Sequence, residues 1–95
     1  TAIGNEPCEP GPVHTEAPEY PREELNNGIT GTVVMLLLTN NCGEVRQVLI
    51  EKKSGNRTMD RAAVESARHW RIDVHAERDP NQHFHWIRAP ISFHL

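Results

Sequence analysis

The sequence lacks any hydrophobic run long enough to cross a membrane. Its longest apolar run, Val33 to Leu38, has six residues, whereas a membrane helix needs about 20. Nothing at the N-terminus has the pattern of a signal peptide. Because the chain begins at Thr1 and not at methionine, we expect it to be a fragment or a processed product, with any membrane anchor in the missing sequence.

An excess of basic residues is also lacking. The chain has 10 Lys and Arg against 13 Asp and Glu, which gives a formal net charge of -3. No basic cluster is larger than a pair such as Lys52–Lys53. This balance argues against nucleic acid as a partner, because nucleic-acid binding requires a basic patch or stripe.

Sequence motifs of common enzyme classes are absent as well. There is no glycine-rich phosphate loop, no nucleophile elbow and no HExxH pattern. The carboxylates of Asp60, Glu65 and Asp73 are explained by helix-dipole stabilisation and solvation. We therefore expect no catalytic residues, no cofactor and no enzymatic activity.

Cysteine is scarce, since Cys8 and Cys42 are the two in the chain. Their spacing excludes a CxxC redox motif. They permit one disulfide in an oxidising compartment without requiring it. An unpaired exposed thiol is a liability in such a compartment, which would favour a Cys8 to Cys42 bridge there. The alternative is two unrelated thiols.

The length and composition predict one small domain. The chain has 95 residues, of which 37% are hydrophobic, enough for a single modest core. Residues 1–17 are rich in proline and glycine and lack periodicity, which predicts an extended tail or linker before a domain at residues 18–95. Pro21 favours the start of a short helix, Arg22 to Asn27, and Gly28 favours its end.

Periodicity predicts the remaining elements. Residues 32–39 and 45–52 are β-prone and flank a turn sequence, which indicates a hairpin. Thr58 is a candidate cap for a helix that carries Asp60 in its first turn and runs through Arg71. Residues 84–95 then alternate as a last strand. The alternation places one set of side chains on one face, namely Ile87, Ala89, Ile91, Phe93 and Leu95, and Arg88, Ser92 and His94 on the other.

The predicted fold is α+β, with a three-stranded antiparallel sheet and two helices packed on one face. Placing the third strand beside the first makes every neighbouring pair antiparallel, which gives the order 2-1-3. Pro90 lacks an N–H and is tolerated mainly on an edge strand. The third strand should therefore present an unpaired edge to solvent.

Several short motifs occur in a fixed order from residue 18 to the end. They are Pro18-Glu19-Tyr20-Pro21, Gly28-Ile29-Thr30-Gly31, Ser54-Gly55, Met59-Asp60-Arg61-Ala62-Ala63, Trp70 and Arg88-Ala89-Pro90-Ile91-Ser92-Phe93. Each motif is common, but their order and spacing resemble the C-terminal domain of TonB-family energy transducers. The resemblance covers roughly four fifths of the chain.

This resemblance implies a periplasmic domain that binds the TonB box of an outer-membrane transporter by β-strand addition. The implied binding residues are Tyr20, Pro21, Trp86, Ile87, Arg88, Ala89, Pro90, Ile91, Ser92 and Phe93. It also implies an N-terminal inner-membrane helix outside this chain and ExbB/ExbD-like motor partners. The alternative is a TonB-like interaction or dimerisation module without a transport role, in which a homodimer formed by strand exchange would compete for the same edge.

Structural roles compete with these binding roles. Tyr20 and Pro21 could pack the short helix, while Trp70, Ile91 and Phe93 fit a core. Under that interpretation, the edge backbone and the side chains of Arg88, Ser92 and His94 remain as contact candidates.

The family pattern also implies which face of the first strand is buried. If Val33, Met35 and Leu37 point inward, an apolar patch remains on the other face. Its members are Val34, Leu36, Leu38, Leu49 and Trp86. A patch of this kind rarely stays exposed on a monomer, so we expect the N-terminal tail or another chain to cover it.

The chain has six histidines, which raises the question of a metal site. His83 and His85 alternate on a strand and could share a face, with His69, His75 and His94 as further candidates. No Cys/His spacing matches a structural zinc motif, so we expect solvent-facing or pH-tuned histidines and no metal site.

Overall fold

A central apolar strand organises the chain, of which the computed structural model describes residues 11–74 and 84–95. The elements in chain order are α1 (Arg22–Asn26), β1 (Gly31–Asn40), β2 (Val45–Lys52), α2 (Arg57–Ala67) and β3 (Phe84–Phe93). The sheet order is β2-β1-β3, and β1 is antiparallel to both neighbours. This confirms the predicted α+β class and strand order. No helix within these described ranges has the length and hydropathy of a membrane span.

One face of β1 carries the core. The side chains of Val33, Met35 and Leu37 are fully buried, as predicted. Helix α2 covers them with small or flexible residues, namely Met59, Ala63 and Ala67. Because alanine brings a helix close to a sheet and methionine fills irregular gaps, this composition suits a thin core between one helix and one sheet.

Helix α2 begins earlier and ends earlier than the sequence predicts. The side-chain oxygen of Asn56 accepts a hydrogen bond of 3.0 Å from the backbone N–H of Met59, so Asn56 is the N-cap and the prediction of Thr58 is wrong. Asp60 lies in the first turn, as predicted, and its Oδ1 accepts a 2.9 Å bond from the Ser54 N–H. The helix ends at Ala67, so Trp70 lies beyond it, where it is 6% exposed.

The cap gives a stability prediction. We expect Asn56→Ala to lower the free energy of unfolding by about 1 kcal/mol, because one helical N–H loses its acceptor. Chemical unfolding followed by circular dichroism measures the change. Asn27→Ala is the matched control, since the Asn27 side chain is exposed and has no hydrogen bond to a described residue. Equal losses in the two variants would contradict the assignment of Asn56 as the cap.

Gly28 and Tyr20 determine the path of the loop between α1 and β1. Gly28 has a φ of +66°, the left-handed conformation that glycine adopts without steric cost and that ends a helix. The Tyr20 hydroxyl then donates a hydrogen bond to the Ile29 carbonyl. Together these interactions turn the chain from α1 into β1 and fix the Tyr20 ring beside the sheet.

Backbone hydrogen bonds connect residues 71–72 to the N-terminal segment and to the β1–β2 turn. His14 and Arg71 exchange N–H···O bonds of 3.0 and 2.9 Å, and the Ile72 N–H donates to the Gly43 carbonyl at 2.8 Å. Residues 71–72 therefore lie between the N-terminal segment and the β1–β2 turn. The predicted division into a tail at 1–17 and a domain at 18–95 stays a prediction, and Cys8 lies outside the described residues.

Candidate functional site: the free edge of β3

Strand β3 has one partner and one open edge. It pairs with β1 along its whole length, from Phe84 opposite Asn40 to Phe93 opposite Gly31. No described residue pairs with its other edge. Unpaired N–H and C=O groups along an edge can bond to another extended chain.

Pro90 indicates which backbone groups face outward. Proline is tolerated in an edge strand where its nitrogen points away from the neighbouring strand, since no ladder bond is then lost. Pro90 lies opposite Val34 in the ladder. Because backbone direction alternates along a strand, we expect Arg88 and Ser92 to direct their N–H groups toward the open edge, on either side of the gap at Pro90.

A groove of about 550 Å³ runs along this edge. Its β3 side is formed by residues 87–94, and its opposite side is formed by the segment before α1 and by two residues after α2. These further residues are Thr15, Ala17, Pro18, Tyr20, Trp70 and Ile72. The groove therefore lies between the open strand and a chain segment that runs beside it.

The segment before α1 is held by α2 and by the residues that follow α2, and not by β3. The Glu16 carbonyl accepts two hydrogen bonds of 2.8 Å, one from Ser66 Oγ and one from Trp70 Nε1. The backbone N–H and C=O of His14 are both hydrogen-bonded to the backbone of Arg71. Because these backbone groups of the segment are bonded to Ser66, Trp70 and Arg71, the segment leaves the edge of β3 unpaired.

The tryptophan bond gives a prediction about this wall. We expect Trp70→Phe to lower the free energy of unfolding by about 1 kcal/mol, because the ring is largely replaced while the indole N–H is lost. The amide of His14 should exchange with solvent faster than in the parent protein. Hydrogen exchange followed by NMR measures this, and unchanged exchange at His14 would contradict an anchoring role for Trp70.

Two aromatic residues that line the groove, Tyr20 and Phe93, are in contact. The Tyr20 and Phe93 rings meet edge to face, with centroids 5.4 Å apart and planes at 81°. Phe93 is 4% exposed and belongs to the core cluster. Its predicted core role is thus confirmed, and it supports the site by positioning Tyr20.

The structure brings most of the predicted binding residues to this groove. Those that line it are Tyr20, Ile87, Arg88, Ala89, Pro90, Ile91, Ser92 and Phe93. Pro21 lies instead in a separate groove of about 480 Å³ beside α2. Trp86 lies opposite Leu38 on the outer face of the sheet and is 52% exposed. A binding role for each residue stays a prediction.

The outer face of the sheet is apolar, as the strand register predicts. Leu36 lies between Leu49 on β2 and Arg88 on β3. Val34, Leu36 and Leu38 are half-buried, and Leu49 is 43% exposed. The two predicted covers for this patch, the tail or another chain, stay predictions.

An ion pair crosses this face. Arg88 Nη2 lies 2.9 Å from Glu51 Oε2. The hydrogen bond to Glu51 and its negative charge raise the pKa of Arg88 above its ordinary value. Arg88 is thus held over the outer face of the sheet while its backbone remains at the open edge.

His85 departs from the expectation of a solvent-facing histidine. It is 8% exposed, and its Nε2 lies 2.8 Å from Asn41 Oδ1. His85 is two residues before Ile87 on β3, so both side chains lie on the same face of the strand. This spacing is the feature of the sequence that indicates burial of His85. No group of three or more potential metal ligands occurs among residues 11–74 and 84–95. His75 and His83 lie outside those ranges.

The far wall of the groove has no recognisable pattern in the sequence. Thr15 and Pro18 line it, but a proline-rich extended segment has no periodicity from which its docking could be predicted. Ile72 also lines the groove. Ile72 can reach the groove because α2 ends at Ala67. The helical spacing predicted a helix through Arg71, so the sequence did not indicate this position for Ile72.

Comparison with known proteins identifies related sequences. The family model described as "Gram-negative bacterial TonB protein C-terminal" matches residues 16–95. Protein tonB2 of Pseudomonas aeruginosa is 33% identical over 85 residues, covering 90% of this chain and 31% of the relative. Protein TonB of Xanthomonas campestris pv. campestris is 32% identical over 81 residues, covering 82% of this chain and 34% of the relative. The chain thus spans about a third of the length of these curated relatives. No solved structure matches it.

Proposed function

Since the chain belongs to the family of TonB C-terminal domains, we propose that it is the periplasmic end of a TonB-like energy transducer. In this role it binds the TonB box of an outer-membrane transporter by β-strand addition and transmits force for active uptake. The open edge of β3 is the observation that supports this proposal. The transducer would be anchored in the inner membrane by a helix outside this chain and driven by ExbB/ExbD-like proteins.

The groove geometry supports an extended peptide as the ligand. Backbone bonds from β3 would supply affinity, and the groove beside the edge would accept alternate side chains. Its lining includes apolar side chains such as Ile87, Ile91 and Tyr20. A peptide with a bulky apolar residue at every second position therefore fits better than a compact ligand.

Isothermal titration with peptides from the N-termini of candidate transporters tests this function. The expected result is saturable binding that is lost when alternate backbone nitrogens of the peptide are methylated, because methylation removes hydrogen bonds and keeps the side chains. Scrambled peptides of the same composition serve as controls. Binding that is insensitive to backbone methylation would contradict strand addition.

The alternative is an interaction or dimerisation module without a transport role. The exposed apolar side chains of Leu49 and Trp86 favour contact with another protein surface. Analytical ultracentrifugation with and without peptide separates the two functions. A dimer that excess peptide neither binds nor dissociates would favour the alternative, since strand exchange and peptide capture would compete for the same edge.

A periplasmic location would also favour the Cys8 to Cys42 disulfide. Arg71 Nη1 donates a 3.0 Å bond to the Cys42 carbonyl, and a Cβ placed on Gly11 would lie 3.1 Å from the same guanidinium. Cys8 is three residues from Gly11, a span of about 10 Å at most, which makes a bridge sterically accessible. Alkylation and mass spectrometry before and after reduction test this proposal, and two alkylated cysteines in the unreduced protein would contradict it.

A further inference from the structure

We propose that a groove between β2 and α2 is a second docking site, which binds an extended acidic segment of a partner protein. The groove has a volume of about 720 Å³ and lies on the β2 side of the sheet, away from β3. Its basic lining consists of Lys53, Arg57, Arg61 and Arg68, and its apolar lining consists of Ile50 and Val64. The proposal is independent of peptide binding at β3.

The charge of this groove is opposite to that of the whole chain. Two carboxylates, Asp60 and Glu65, also line it. Asp60 is 8% exposed and accepts a hydrogen bond from the Ser54 N–H, while Glu65 Oε2 lies 3.4 Å from Arg68 Nη1. Both carboxylates are therefore already engaged, on a chain with a net charge of -3.

The other three cations have no carboxylate partner among the described residues. Lys53, Arg57 and Arg61 are exposed and form no ion pair there. Arg57 and Arg61 are four residues apart on α2, a spacing at which like charges on a helix face repel each other. A negatively charged ligand would relieve this repulsion, so charge complementarity favours an acidic partner.

The apolar lining and the strand edge favour a peptide over a compact anion. Ile50 is 36% exposed and Val64 is half-buried, so the groove offers apolar surface in addition to its cations. No described residue pairs with the second edge of β2, which is also open. An extended chain that alternates acidic and apolar side chains could use all three features at once.

NMR titration of the labelled 95-residue chain tests the proposal. The probe is a short synthetic peptide that alternates Glu and Val, and two analogues carry Gln or Lys in place of Glu. We expect the Glu peptide to shift amides of residues 50–53 and 57–68, with weaker binding at higher salt. The Gln and Lys analogues should leave these amides unchanged. Equal shifts with all three peptides, or shifts confined to β3, would overturn the proposal.

Matched charge reversals test the cation role. Arg61→Glu should weaken binding of the Glu peptide roughly fivefold to tenfold, since it replaces an attraction by a repulsion. Arg22→Glu makes the same charge change on α1 and should leave the affinity unchanged. Ile50→Ser tests the apolar contribution and should weaken binding without changing its dependence on salt. Equal effects of Arg61→Glu and Arg22→Glu would overturn a local site.

Two further outcomes decide between occupants. Inorganic polyphosphate should bind no more tightly to the parent than to Ile50→Ser, and it should compete weakly with the Glu peptide. Tighter binding of polyphosphate than of the peptide would overturn the assignment to a protein segment. Sedimentation of the chain alone should show no self-association through this groove. Self-association that Arg61→Glu abolishes would instead assign the groove to a second copy of the chain.

Discussion

Leu37→Ala is expected to lower the free energy of unfolding by about 2–5 kcal/mol, the range for removing a leucine side chain from a packed core. Leu37 is fully buried on the face of β1 that α2 covers. In a domain of this size each kcal/mol changes the melting temperature by about 4–8 °C. Differential scanning calorimetry should therefore record a loss of at least about 8 °C.

Leu36→Ala is the matched control for this variant. Leu36 is the preceding residue on the same strand, but it lies half-buried on the outer face. We expect the same substitution there to cost less than half as much, since less apolar surface returns to water. Equal losses at the two positions would mean that the outer face is covered as fully as the core face.

Ser92→Pro is expected to weaken binding of the transporter peptide by about tenfold or more while the domain stays folded. The substitution removes an N–H that we assign to the open edge, and it places a ring where the peptide would approach. A net hydrogen bond contributes about 0.5–1.5 kcal/mol, and an unpaired acceptor on the peptide adds to the loss; tenfold in affinity corresponds to about 1.4 kcal/mol. Isothermal titration measures the change.

Two controls separate the backbone effect from others. Ser92→Ala removes the hydroxyl, whose Oγ lies 3.0 Å from Thr32 Oγ1, but keeps the N–H, so peptide affinity should hardly change. Ile91→Pro has the opposite parity and should remove a bond to β1, which destabilises the sheet. If Ile91→Pro were well folded and Ser92→Pro were not, the parity assigned from Pro90 would be wrong.

The sheet could be predicted from the sequence because its patterns are strong and local. The alternation of residues 84–93 defines β3, and the Asn40–Gly43 turn joins two β-prone runs. The strand order followed from antiparallel pairing of every neighbour, and the proline in β3 agreed with an edge position. The bounds of α2 were less accurate, because Asn56 and Thr58 are both good cap residues and only the folded Ser54–Asp60 loop selects Asn56.

The candidate site was predictable on one side and hidden on the other. Residues of β3 could be placed at an edge because Pro90 and the strand order both point there. The position of the wall from Thr15 to Pro18 is set by a few individual hydrogen bonds, such as that from Trp70 Nε1 to the Glu16 carbonyl. A bond across more than 50 residues leaves no local pattern in the sequence.

Mapping the peptide complex by NMR tests the central claim most directly. The labelled chain would be titrated with a transporter N-terminal peptide, and intermolecular contacts and amide exchange would be recorded at saturation. We predict shifts concentrated in residues 86–93, protection of the Arg88 and Ser92 amides, and cross-strand contacts from the peptide backbone to β3. A saturated complex in which β3 is unperturbed, or no response at high peptide concentration from a folded monomer, would contradict peptide capture by this edge.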